Sequence, residues 1–213
     1  MSTVVCTASA LRDLARRPLP EPRDDDDRCE LCAEPVPAEH RHLLDTTADT
    51  LLCTCRACAL LFDTDRHSGG RRPYLLISER RRRLDGMRLD ARQWAALRVP
   101  VGLAFFLRGG PPDDEITAGY PGPMGVVRAP VDRGVWAGIE AGRPALATLV
   151  PRTEALLVNR AGGSQEHWIV PLDDCYRLAA LLRTHWSGLA GGDEVWQHVR
   201  QFFDHLTPVD PDA

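Results

Sequence analysis

Two Cys-x-x-Cys pairs, Cys29/Cys32 and Cys55/Cys58, stand twenty-two residues apart near the start of the chain. Each pair can wrap a tight turn that points two sulfurs at one centre from the same side. A hairpin in the intervening stretch can then bring the two turns together. Four thiolates at about 2.3 Å, with no position left for water, describe a closed structural zinc site rather than a catalytic one. A short polar segment built around such a site has little core of its own, so ion binding would contribute much of its folding free energy. Iron in a rubredoxin-like tetrathiolate is the alternative, because ligand softness and geometry do not separate it from zinc.

Three nearby features bear on that reading. The residue after the second cysteine of each pair, where glycine would allow a positive φ, is alanine at both Ala33 and Ala59. Cys53 lies two residues before Cys55 and could replace it as a ligand, although two-residue spacers favour the symmetric set. His40 and His42 lie between the pairs; a second metal site with Cys53 is conceivable, but histidines near a ribbon more often serve as surface or hydrogen-bonding residues.

The whole chain has 213 residues, enough for one sizeable core and a small satellite. Seven cysteines, an odd number, argue against a purely disulfide-bonded framework. The N-terminus lacks the charged head and apolar run of a signal peptide, and no stretch is apolar enough to span a bilayer. A cytoplasmic, reducing location is therefore expected, in which clustered thiols bind metal. All 26 basic residues are arginine, which suggests the coding bias of a high-GC bacterium. The formal charge of −4 disfavours a general polyanion binder, so nucleic acid is an unfavoured partner and a zinc-ribbon nucleic-acid binder a secondary alternative. Nine arginines from Arg66 to Arg92 face only Glu79, Asp85 and Asp90, and Arg80 to Arg83 form a run. This is either a solvated face or a docking patch for an acidic protein.

Periodicity divides the chain into an acidic, proline-rich tail (1–27), a zinc-ribbon-like metal-binding module (28–78), an α/β domain (79–207) and a short tail (208–213). The expected class is α+β. In the module, a hairpin is expected around Thr46 to Asp49, with further strands at Ala59 to Phe62 and Tyr74 to Ile77. Downstream, Asp90 and Gln93 form a capping-box pattern, and Val99 to Leu107 reads as a buried strand. Ile116 to Tyr120 and Met124 to Arg128 flank a turn; helices are expected near 132–141 and 145–149. Ala155 to Val158 and His167 to Val170 read as paired central strands. Two amphipathic helices close the chain, with Asp173 and Asp193 at their expected N-terminal caps.

No GxGxxG, GxxxxGK[ST], GxSxG or HExxH string occurs, so no residue is assigned a catalytic or cofactor-binding role. The chain leans towards a non-enzyme, although a site assembled by the fold, for instance from His167, Asp173 and His185, stays open. Cys175 falls on the apolar stripe of a helix and reads as a small buried hydrophobe.

The strings RCELCAEPVPAEHRHLLD, LLCTCRACALLF, RRRRLDGMRLD, LRVPVGLAFFLR and WIVPLDDCYRLAALLRTHW resemble an uncharacterised actinobacterial family encoded beside [NiFe]-hydrogenase genes. The resemblance runs from about Arg28 to Leu206. It implies a hydrogenase accessory role in assembly or maturation, or as a small structural or electron-transfer subunit, with a hydrogenase subunit or maturation factor as partner.

Overall fold

In the computed structural model the described residues are 27–63, 73–110, 114–122, 125–186 and 192–209. The expected N-terminal tail lies outside them apart from Asp27. Near the other end, Val209 exchanges a pair of backbone hydrogen bonds with Arg81, each 2.8 Å. The architecture is α+β, with two antiparallel sheets and six α-helices among the described residues.

The small sheet has the order β2-β1-β3, from Thr50–Thr54, Arg41–Asp45 and Tyr74–Leu76. Its first two strands form the expected hairpin. The Asp45 carboxylate accepts from the backbone N–H groups of Thr47 (2.7 Å) and Ala48 (3.0 Å), an Asx turn that closes the loop, while the Thr46 N–H donates to the Pro73 carbonyl (2.7 Å) and Arg152 donates to the Thr46 carbonyl (3.2 Å). The strand expected at Ala59 to Phe62 is instead part of α1 (Arg56–Asp63). Its ALLF run is apolar but not alternating, and in the helix it spreads around the axis, with Cys58 and Ala59 turned inward and Leu60 and Leu61 outward.

The large sheet has the order β4-β9-β8-β5-β6-β7 and is antiparallel throughout. Its strands are β4 (Arg82–Arg83), β5 (Leu103–Arg108), β6 (Ile116–Gly122), β7 (Gly125–Val131), β8 (Glu154–Asn159) and β9 (Glu166–Pro171). Central β5, β8 and β9 are covered on both faces, which is why they read as nearly unbroken apolar runs. On one face Phe105, Leu157 and Val170 pack against α5 (Leu172–His185) and α6 (Gly192–His205). On the other, Phe106, Leu156 and Ile169 pack against Leu97 and Val99 and against Trp136 and Leu146 of α3 (Arg133–Glu140) and α4 (Pro144–Ala147).

Two expected elements shift. β5 begins at Leu103 rather than Val99: Pro100 has no N–H to give a ladder, and Val99 instead fills the core below. Asp173 does not cap α5. The helix starts directly from Pro171 at the end of β9, and Asp173 sits inside the first turn, while Asp193 likewise lies inside α6. The capping box on α2 (Ala91–Ala96) is present as expected, with Asp90 and Gln93 bonding each other's backbone N–H groups.

The small sheet does not stand apart from this core. Leu44 and Ile77 are buried in the same cluster as Phe105, Trp168 and Phe203.

Candidate metal centre

Cys29 and Cys32 lie on a knuckle before the hairpin. The Cys29 N–H donates to the Glu34 carbonyl (2.8 Å), the Ala33 N–H to the Cys29 carbonyl (2.8 Å), and the turn passes through Ala33 with φ 62°. Cys55 follows β2 directly and Cys58 is in the first turn of α1. The second Cys-x-x-Cys is thus a helix entry rather than a second knuckle, and Ala59 continues the helix through its bond to the Cys55 carbonyl (2.9 Å). A helix N-terminus favours thiolate charge.

The four sulfurs of Cys29, Cys32, Cys55 and Cys58 lie within 4.8 Å of one another. Cys32 and Cys55 Sγ are 3.6 Å apart, and the Cys58 N–H donates to Cys55 Sγ at 3.5 Å. Cys29, Cys55 and Cys58 are buried with Val36, whereas Cys32 reaches solvent. Burial opposes the Cys29 thiolate, yet backbone hydrogen bonds from Cys55, Leu31 and Cys32 outweigh it and bring its pKa down to about 6. Burial and the three neighbouring sulfurs push the Cys58 thiol up to about 12. Four thiols sharing one shell cannot all ionise without a cation, and a divalent ion at their centre removes that conflict. The donor set therefore fits a metal ion, and Cys55 rather than Cys53 belongs to it.

Cys53 pairs with His42 across the β1–β2 ladder and falls in a different group, with His40 and His42. A third cluster, His185, Glu194 and His198, joins α5 to α6, with the two imidazoles stacked at 3.9 Å between centroids.

The family model for DUF5947, a family of unknown function, matches residues 28–209. The chain belongs to this family. No curated protein and no solved structure matches it.

The other candidate residues do not gather into one site among the described residues. His167, Asp173 and His185 do not converge: Asp173 bonds His42, His185 stacks on His198, and His167 is buried in β9. Burial holds the His167 pKa down at about 4, so the ring is neutral at pH 7. Cys175 is buried, and burial holds its thiol well above the ordinary range. The arginine run is split. Arg80 pairs with buried Glu154, Arg81 forks onto buried Asp174 (2.6 and 3.1 Å), and only Arg82 and Arg83 face outward. Arg66, Arg71 and Arg72 lie outside the described residues. Sequence alone could not pair Arg80 and Arg81 with carboxylates 74 and 93 residues away.

Proposed function

We propose that this protein is a metal-dependent accessory factor that acts through protein–protein contact, with Cys29, Cys32, Cys55 and Cys58 holding a structural zinc ion. The observation that carries this reading is the closure of the four sulfurs into one mostly buried shell with no other donor type in it. The ion would tie the knuckle to the start of α1, and through β1 and β3 to the core of the larger sheet.

The docking face we assign to the tip around the thiolates. Leu31 lies between the first pair, and Leu60 and Leu61 follow Cys58; these three apolar side chains are 37%, 56% and 70% exposed. Such exposure beside a rigid centre is what a partner-binding surface needs. The sequence resemblance directs the search for that partner to [NiFe] hydrogenase and its assembly factors.

Metal analysis of protein purified from its native host without added metal tests the site, and zinc at one ion per four-thiolate centre is the expected result. The exposed edge at Cys32 favours one rival, a rubredoxin-like iron carrier, since electron transfer needs an accessible ligand. Stoichiometric iron with a reversible potential would establish that rival. Co-purification with hydrogenase subunits, and loss of hydrogenase activity in a deletion strain, test the partner.

A further inference from the structure

The faces of β1 and β2 carry a second cluster whose donors are arranged differently from the four thiolates. His40, His42 and Cys53 each offer one ligand atom, and these atoms lie within 4.8 Å of one another. The strands fix this grouping. His42 and Cys53 are register partners in the β1–β2 ladder, and His40, one residue before β1, brings its ring to 4.7 Å from that of His42.

Both imidazoles are already oriented from behind. His40 Nδ1 lies 2.8 Å from the Pro37 carbonyl oxygen, and His42 Nδ1 lies 3.0 Å from Asp173 Oδ2. A carbonyl and a carboxylate only accept, so in each neutral ring Nδ1 carries the proton and Nε2 keeps its lone pair. This carboxylate–histidine and carbonyl–histidine support fixes the tautomer of metal-binding histidines and raises their basicity. His40 Nε2 is buried and has no hydrogen-bond partner. A buried acceptor left unmatched costs free energy unless something occupies it. Cys53 is held in register by Glu30, whose carboxylate accepts from the Cys53 N–H (2.6 Å) and whose own N–H donates to the Cys53 carbonyl (2.9 Å). Glu30 and Asp173 also make the surroundings anionic.

We infer that His40 Nε2, His42 Nε2 and Cys53 Sγ form a second metal site, for a divalent first-row cation of the zinc class. Imidazole nitrogens and one thiolate suit such a borderline ion rather than magnesium or calcium. Three protein donors leave a fourth tetrahedral position for water or an exchangeable ligand, the pattern of reactive rather than purely structural zinc. Asp173 belongs to α5, so the site would link the hairpin to the helix that covers the large sheet.

The test uses the full-length chain, loaded with one equivalent of zinc and then titrated with cobalt(II). A second equivalent should bind, with a weaker thiolate-to-cobalt charge-transfer band than a four-thiolate centre gives. Cys53→Ser and His40→Ala should each abolish it. Asp173→Asn should weaken it about 10- to 100-fold while leaving the ligands in place. Retention of the first equivalent in these variants shows that the hairpin still folds. The inference is overturned if the native chain stops at one equivalent that is lost with Cys29→Ser but not with Cys53→Ser. It is equally overturned if the second equivalent survives Cys53→Ser combined with His40→Ala. A single equivalent lost with Cys53→Ser and kept with Cys29→Ser would support this site and remove the four-thiolate one, so the two readings fail separately.

Discussion

The two sheets are stabilised by different means. The six-stranded sheet has apolar cover on both faces and bonds its edge with buried carboxylates, Glu154 and Asp174, that meet Arg80 and Arg81. In the three-stranded sheet Leu43 and Leu44, consecutive in β1 and so on opposite faces, are buried, but at its far end the buried cluster is only sulfur and Val36. A region of that size has too little core to fold unaided. A metal ion held by the four sulfurs would do there what side-chain burial does in the large sheet.

Removing the ion should break this contrast most visibly. Structural zinc contributes on the order of 10 kcal/mol or more to small thiolate-bound folds. Cys55→Ser, or chelation, should therefore abolish amide-exchange protection in β1 and β2. Protection in β5 and β8 should survive, with a lowered melting temperature because Leu44 and Ile77 leave the shared core. Simultaneous loss of protection in both sheets would show that the small sheet is an integral part of the large one's folding unit.

Next in size are the buried ion pairs. Asp174→Ala leaves the Arg81 guanidinium without its carboxylate, and breaking a buried pair costs about 3–5 kcal/mol. The lower end is expected because Arg81 keeps a quarter of its side-chain surface in water (26%). A urea midpoint that falls at unchanged m-value is the readout. An effect below about 1 kcal/mol would mean that these pairs behave as surface salt bridges.

Packing in the large sheet supplies a third measurement. Phe105 stands opposite Gly119, and a Cβ on that glycine would lie 2.2 Å from Phe105 Cζ. The ring is buried and cannot swing away freely, so Gly119→Ala should cost about 1–3 kcal/mol. Adding Phe105→Leu should recover part of that loss, a coupling that a double-mutant cycle reads directly.

How much of this was legible in the residues follows the same division. Local signals survived folding: the Cys-x-x-Cys spacing, the hairpin over Thr46 to Asp49, the Asp90–Gln93 capping box and the apolar periods of α5 and α6 all act within a few residues. Signals that depend on distant partners were ambiguous. ALLF reads as a strand on its own, whereas the helix that starts at Arg56, with Cys58 in its first turn, carries it. Arg80 and Arg81 looked like part of a basic patch until Glu154 and Asp174 were brought to them. Asp173 looked like a cap because nothing nearby in sequence announces His42, 131 residues before it.

The smallest effect tests the difference between the two cysteine turns themselves. Ala33 holds φ 62°, a left-handed conformation that costs an L-residue roughly 1–2 kcal/mol and a glycine almost nothing. Glycine gives back about 0.5–1 kcal/mol through its greater freedom in the unfolded chain. Ala33→Gly should therefore stabilise the knuckle by about 0.5–1 kcal/mol, a roughly two- to fivefold gain in zinc affinity against a chromophoric chelator. Ala59 is also the residue after a Cys-x-x-Cys, but it sits inside α1 and is buried. There glycine is worse than alanine by about 1 kcal/mol, so Ala59→Gly should weaken zinc binding by a similar factor. Opposite signs at two positions that are equivalent in sequence would demonstrate that one pair is a knuckle and the other a helix entry; equal signs would mean that both turns share one conformation once the ion is bound.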